Sequence, residues 1–562
     1  MIPMNNFLRN KAECYKVQDT LFCDKPARLD LQKVDIHLSS PHCFTVNVWR
    51  NHAIEPIIPL CRPYFSYGNL QCNFRISDYD DTLMFSNHEI ADVEFLWLDS
   101  TYYIFSVSKE KWFDWLIERV TYLRKLTYAP IVIATWLPEL EDSLHLERLI
   151  DNLPMVYFAN LGRFCSELGV CLIDERIISM AGTRVSALAQ VLIARKLACH
   201  WLTATILPPI KAVVLDLDNT LHSGVLAEEG IHGVHLTESH KDFQNSLKKL
   251  REKGIFLALV SHNEIQDVRS LFLQRLDYPL NWDDFAVAEI SWRDKADSIH
   301  AVADKLRISF DSILFVDDNI GVLLNVCSNI PTIHTLHANL DAKITQTALE
   351  HYPGLWRWKI GLDDKKRLED LRANHERELI FADAHYINNY FHSLQVCLMY
   401  KYDNIDCIDR LADLCRKTNQ FNLSMNRFNQ LHILDYIHSD MTSVCSVQLK
   451  DRLSDSGIIA VIIAKRYSDH LLIDEICISC RALGRRLEDV IIIAGIRNMK
   501  IFQGCKTIIF NVRYGARNQP ALDWLKKLTQ LEYLPQGLHS VSSEIFDTFI
   551  VPEGVSMEVL WM

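Results

Sequence analysis

Three apolar runs between residues 211 and 318 end in side chains that carry charge or a hydroxyl. KAVVLDLDNT stops at Asp216 and Asp218, IFLALVS at Ser261, and SILFVDD at Asp317 and Asp318. A run of Val, Leu, Ile and Ala without polar alternation suits a strand buried on both faces, as in a parallel sheet covered by helices. Helical patterns fill the gaps, near 240–253, near 264–275 and over 295–306. Such alternation is doubly wound, and its strand ends gather along one edge, where open α/β sheets bind ligands. Asp216, Asp218, Thr220, Ser261, Lys295, Asp317 and Asp318 are therefore expected to meet.

These residue types fit one chemistry. Two carboxylates one residue apart repel unless a cation or a proton separates their roles. Several carboxylates suit Mg²⁺, a hard cation that keeps waters and shares phosphate oxygens. A serine hydroxyl and a lysine ammonium hold the remaining phosphate oxygens. One aspartate is then free to attack phosphorus while a second moves the proton. A lone D-x-D is equally well a solvated turn; the whole ordered set at strand ends is not.

At 562 residues the chain should hold several domains, since single cores rarely grow beyond roughly 250–300 residues. The net charge of −12, from 59 basic and 71 acidic side chains, argues against non-specific nucleic-acid binding as the main role. The start lacks an apolar signal segment, and no run of about 18 apolar residues is present, so neither export nor a membrane span is expected. The sixteen cysteines lack paired spacing except Cys477 and Cys480. A cytoplasmic protein with reduced, mostly core thiols is the expectation.

Upstream, VEFLWLDS (93–100), PIVIATWL (130–137) and VCLID (170–174) read as buried strands of a first α/β domain. Pro208-Pro209 marks the passage to the next. The charge-dense stretch 363–384 reads as an exposed connecting helix. From about 396 successive strands follow, SVCSVQL, GIIAVIIAK and LLIDEICIS, then the loop CRALGRR and a helix from about 487. That is an α+β unit with antiparallel strands. The expected divisions are 1–204, 205–345, 346–395 and 396–562.

Arg481, Gly484 and Arg485 lie where a strand gives way to a helix, and backbone N–H groups at a helix start favour an anion. Cys480 precedes them, beside Arg481, a setting that favours thiolate. It is either a nucleophile or a strand-end cysteine without chemistry. Asn419 and Gln420, in the amide-rich stretch 417–423, either line a pocket or form a turn network.

The set DxDxT, Ser, Lys and Asp-Asp resembles the motifs of the haloacid dehalogenase (HAD) phosphotransferase superfamily. The resemblance implies that Asp216 is nucleophile and Mg²⁺ ligand. Asp218 would be general acid/base, binding Mg²⁺ through its carbonyl. Ser261 and Lys295 would hold phosphate, with Thr220 and Asn263 as further contacts, and Asp317 with Asp318 would complete the metal site. Only 45 positions separate Asp216 from Ser261, and 34 separate Ser261 from Lys295. No large cap fits; residues 222–236 allow a small flap.

DLDNTLHSGV, SHNE, SWRDKA and FVDDN resemble the FkbH-like proteins of polyketide pathways more narrowly, as do RKTNQFNLSMNRF, DRLSDSGIIAVII and SCRALGR downstream. The resemblance implies a Rossmann-like HAD core between an SGNH-like α/β domain and a GNAT-like α+β domain. It implies Mg²⁺-dependent loading of a glyceryl unit from 1,3-bisphosphoglycerate onto the phosphopantetheine thiol of an acyl carrier protein, with phosphate removed. Cys480 would then carry the acyl group, and Arg481, Gly484, Arg485, Asn419 and Gln420 would hold the pantetheine arm. No GDS nucleophile block is present upstream, so Ser40 and Ser100 are read as scaffold. His262, Ile320-Gly321, Leu453-Ser454 and Arg486 depart from the usual residues; these departures bear on substrate identity rather than on phosphoryl chemistry. The alternatives are a HAD phosphatase for a small phosphorylated metabolite and a non-catalytic carrier-protein scaffold.

Overall fold

A computed structural model describes residues 2–105, 107–359, 361–383 and 386–562. The chain divides into two compact units, Met1–Lys359 and Ile360–Met562. The protein is mainly α/β, and each sheet follows from its sequence pattern.

The first unit holds two five-stranded parallel sheets. One comprises β1 (His42–Arg50), β2 (Leu70–Tyr79), β3 (Val93–Trp97), β4 (Ile131–Thr135) and β5 (Val156–Asn160), in the order β2-β1-β3-β4-β5. The other comprises β6 (Ala212–Leu215), β7 (Phe256–Ser261), β8 (Phe285–Ile290), β9 (Ile313–Asp317) and β10 (His334–His337), in the order β10-β9-β6-β7-β8. The central strands β6, β7 and β9 are buried along their whole length, which explains their unbroken apolar runs. Each fully buried Val, Leu or Ile side chain there contributes about 1.5–3 kcal/mol. The helices Glu238–Glu252, Ile265–Gln274 and Lys295–Leu306 lie where the periodicity placed them.

One apolar core runs through this unit from Cys14 to Leu355. The helix Ile2–Phe22 belongs to it and reaches far along the chain: the Tyr15 hydroxyl is 2.6 Å from Thr335 Oγ1, and Gln18 Nε2 donates to the His337 carbonyl at 2.6 Å. Residues 170–174, expected as a buried strand, instead form an irregular segment with a single antiparallel bridge, Ile173 to Val185. Four residues or so of apolar sequence do not distinguish the two. Among the described residues, no helix is long and apolar enough to cross a membrane.

The second unit holds an eight-stranded mixed sheet. Its strands are β11 (Val396–Tyr402), β12 (Phe421–Asn422), β13 (Thr442–Lys450), β14 (Asp455–Tyr467), β15 (His470–Ile478), β16 (Thr507–Val512), β17 (Gly537–Ser542) and β18 (Val555–Trp561). The strands β13, β14 and β15 are antiparallel as expected, while β11/β18 and β15/β16 pair in parallel. The β15/β16 pairing covers only 470–473; β15 then takes β12 as its neighbour at Cys477 and Ile478.

The charged helix Leu362–Asp383 is not exposed on every side, which corrects the sequence expectation. Its Asp370, Ala373 and Arg377 are buried. Residue 384, the last of that stretch, lies outside the described residues.

Candidate active site

The chain leaves β6 for β7 and β8 on one side, and returns to β9 and β10 on the other. The crevice between β6 and β9 is thus a topological switch point, where such sheets bind ligands. Asp216 follows β6 and its N–H donates to the Val316 carbonyl on β9 at 2.9 Å. Asp317 ends β9, so two carboxylates flank the crevice by strand register alone.

Lys295 stands between them. Its Nζ is 2.8 Å from Asp216 Oδ1 and 2.7 Å from Asp317 Oδ2, with all three side chains buried. The lysine opens the helix Lys295–Leu306, and Asp294 caps that helix through Ala296 N–H at 2.7 Å. Burial opposes the charge on Lys295, but Asp216 and Asp317 hold its ammonium above the ordinary range.

Oxygen atoms of Asp216, Asp317 and Asp318 lie within 4.8 Å of one another. Burial, opposed by Lys295 and reinforced by Asp317, pushes Asp216 up to about 7. Asp318 is likewise raised, by burial and then by Asp317. Three carboxylates against one ammonium leave the crevice short of positive charge. That shortage, with only oxygen donors present, fits a hard divalent cation such as Mg²⁺.

The loop after β6 shapes the rest. Asn219 takes the left-handed conformation (φ 54°) and its Oδ1 accepts from Gly224 N–H at 2.9 Å. This closes a turn that brings Asp218 round beside the crevice. Thr220 is buried and its Oγ1 has no hydrogen-bond partner, as befits a donor for a ligand oxygen. Ser261 ends β7 and is buried, its Oγ accepting from Asn263 Nδ2 at 3.0 Å.

Asn263 was expected on phosphate. Its Nδ2 also donates to Asp218 Oδ2 at 2.8 Å, so it braces Asp218. Asp218 Oδ1 accepts from Leu226 N–H at 2.9 Å and is 3.3 Å from His222 Nε2. Burial raises Asp218, but the hydrogen bonds from His222, Leu226 and Asn263 outweigh it and hold the carboxyl below the usual range. His222 had no role in the motif reading. The clue was its place four residues after Asp218, where one helical turn brings side chains together. At the rim, His262 bonds the Arg293 carbonyl at 2.8 Å and stacks on exposed Trp292.

In the second unit the expected pantetheine residues are turned to other tasks. Arg481 Nη1 donates to the Ser456 carbonyl at 2.8 Å. Gly484 has φ 78°, and its N–H meets Glu488 Oε1 at 3.2 Å, so a carboxylate of the chain itself sits on the loop. Arg485 is buried between Asp370 at 2.8 Å and Asp451 at 3.2 Å. Asn419 Oδ1 accepts from Arg427, whose Nη1 also binds the Cys415, Arg416 and Thr418 carbonyls at a helix end. Gln420 and Cys480 are half-buried. In the first unit Ser100 is fully buried and donates to the Trp136 carbonyl, while Ser40 is exposed.

No family model matches the chain, and no curated protein is similar to it at a significant level. Solved structures are. The N-terminal part of a Bacteroides fragilis protein, containing a phosphatase domain and complexed with Mg, is 19% identical over 56% of this chain and 93% of that one, with a TM-score of 0.44. A hypothetical protein from Xanthomonas campestris is 17% identical over 26% and 84%, with a TM-score of 0.18. A fungal multi-domain GH3 beta-N-acetylglucosaminidase with a GCN5-related glucosamine N-acetyltransferase region is 9% identical over 93% and 68%, with a TM-score of 0.18. Likenesses of this size carry no argument about chemistry; for this chain that argument is made by the residues at the β6/β9 crevice.

Proposed function

We propose that the chain is an Mg²⁺-dependent phosphatase and phosphotransferase of the HAD type working through Asp216. The observation that carries this reading is the cluster of Asp216, Asp317 and Asp318 about Lys295 at the switch point. Bound by those carboxylates, Mg²⁺ would neutralise phosphate oxygens and bring phosphorus within reach of Asp216. Asp216 attacks phosphorus and the leaving group departs. Lys295, Ser261 and Thr220 hold the transferred group's oxygens. Asp218 then takes the proton of the water that frees the phosphate.

The finer reading is that the phosphorylated substrate is a three-carbon acyl phosphate such as 1,3-bisphosphoglycerate. The Cys480 thiol attacks the acyl carbonyl carbon of the glyceryl unit, and the 1-phosphate leaves as inorganic phosphate. The phosphopantetheine thiol of an acyl carrier protein then displaces Cys480 by thioester exchange, its proton passing to the freed thiolate. Attack by Asp216 is confined to the remaining 3-phosphate. The short spacing between Asp216, Ser261 and Lys295, which leaves room for a small flap only, supports a bulky or tethered substrate. A second reading, a phosphatase that needs no carrier, is favoured by the second unit, where Arg485 and the Gly484 N–H are already occupied.

Intact mass of a phosphopantetheinylated carrier after incubation with the chain, Mg²⁺ and 1,3-bisphosphoglycerate tests both. A gain of one glyceryl group that Asp216→Asn abolishes supports transfer. Mg²⁺-dependent phosphate release without a gain supports the phosphatase. The absence of both a mass gain and phosphate release under these conditions overturns the site assignment.

A further inference from the structure

The proton-handling carboxylate of the site is gripped by a side chain to which the motifs assign nothing. His222 is fully buried, with Nε2 3.3 Å from Asp218 Oδ1. The same oxygen accepts the Leu226 N–H at 2.9 Å, and Oδ2 accepts from Asn263 at 2.8 Å. A carboxylate only accepts, so His222 Nε2 carries the hydrogen of this contact. Its Nδ1 is buried without a partner, and so is the hydroxyl of Tyr278, whose ring meets the imidazole edge-on with centroids 6.2 Å apart. Leaving a buried polar atom unpaired costs stability, so an apolar ring would fill this space better. Packing alone does not account for a histidine here; its bond to Asp218 does.

We infer that His222 is a positioning residue: with Leu226 N–H it pins Oδ1 of Asp218, leaving capacity on Oδ2 for the water that attacks phosphorylated Asp216. This rests on the phosphatase reading and deepens it. In that step the water oxygen bonds to phosphorus, and the bond from phosphorus to the Asp216 oxygen breaks. The electron pair returns to the Asp216 carboxylate, and the water proton passes to Asp218. Without His222 one of three tethers is lost, the Asp218 carboxylate swings, and this second half of the reaction slows. The first half slows less when the leaving group is a carboxylate, which departs without a proton.

Acetyl phosphate is therefore the probe. The full chain with Mg²⁺ is mixed with labelled acetyl phosphate, quenched rapidly, and the phosphoryl group on the Asp216 peptide is measured beside steady-state turnover. Wild type should turn over with little label. His222→Phe should lose about 10- to 100-fold in kcat, with KM falling in step so that kcat/KM changes less than about threefold, while label climbs toward one per chain. His222→Gln, which restores an N–H at similar reach, should recover most of the rate and lose the label. Unchanged turnover in His222→Phe overturns the inference, and so does a loss of rate without label. A wild type that neither hydrolyses nor is labelled overturns the phosphatase reading itself. Should His222→Phe fail to fold, accumulation of label in His222→Asn, whose shorter amide falls back from Asp218, decides the question.

Discussion

Among the described residues, two largely buried clusters of carboxylates solve opposite problems. At the β6/β9 crevice, Asp216, Asp317 and Asp318 face a single cation, Lys295. In the second unit, Asp370 and Asp451 face two, Arg377 and Arg485. There the two Arg forks and the hydroxyls of Ser454 and Ser456 converge on Asp370 Oδ1. Asp451 accepts both Arg377 and the N–H groups of Leu453 and Ser454. Burial raises Asp370, yet Arg485, Ser454 and Arg377 bring it below the ordinary range, whereas Asp216 is pushed up. The balanced cluster fastens the helix Leu362–Asp383 to its sheet. The unbalanced one is left needing a cation from outside. The surplus, more than the mere presence of buried acid, marks the candidate site.

That contrast can be broken in a graded way. Asp216→Asn should cut phosphate release by a factor on the order of 10³ or more, while the far-ultraviolet spectrum stays unchanged; activity within tenfold of wild type would refute the nucleophile. Next in size, Arg377→Met strips one cation from the balanced cluster and leaves two buried carboxylates, Asp370 and Asp451, to the single charge of Arg485. The second unit should lose about 3–5 kcal/mol in urea unfolding, and a loss below about 1 kcal/mol would mean that the cluster is solvated. Mg²⁺ should then stabilise the first unit alone, by about 2.7 kcal/mol at a hundredfold excess over its Kd. Thermal scans with Mg²⁺ and with chelator would read this, and Asp317→Asn should erase it.

The smallest effects are the pH slopes, each at most about 1.4 kcal/mol per pH unit for one proton. Asp216 is raised to about 7. Without metal it therefore adds stability that is complete below its unfolded value and lost as pH rises through about 7. Asp370 is lowered. It therefore adds stability above its unfolded value, about 3.9, that is lost as pH falls through the folded one. Metal-free scans from pH 5 to 8, and acid titration followed at the second unit, should show opposite signs; Asp216→Asn should flatten the first.

The same contrast explains what the sequence reveals. The crevice is legible because its acids and Ser261 follow apolar runs, so hydropathy marks the strand and the next residue marks the edge. The Asp370–Arg377 face is not, since a helix that buries charge presents no apolar stripe and its period is silent. Strand β2 carries a mixed, partly exposed pattern and leaves no unbroken run to find; the apolar run of β8, FAVA, is as short as that of β6 and only half-buried. His222 escapes for another reason: a histidine inside a presumed flap reads as solvated until the Asn219 turn folds it under Asp218.

The helix Ile2–Phe22 carries a consequence for how the chain is made. Its Cys14 and Leu21 bond to Tyr67 and Tyr64, 53 and 43 positions later, but Tyr15 and Gln18 dock on Thr335 and His337, 320 and 319 positions later. At roughly 5–20 residues per second a ribosome needs about a quarter of a minute to a minute to supply those partners. One side of the helix is thus covered early and the other stands bare while the whole β6–β10 sheet is being synthesised. A nascent chain stalled before residue 335 should expose that side to chaperones and proteases, and a chain released past it should not.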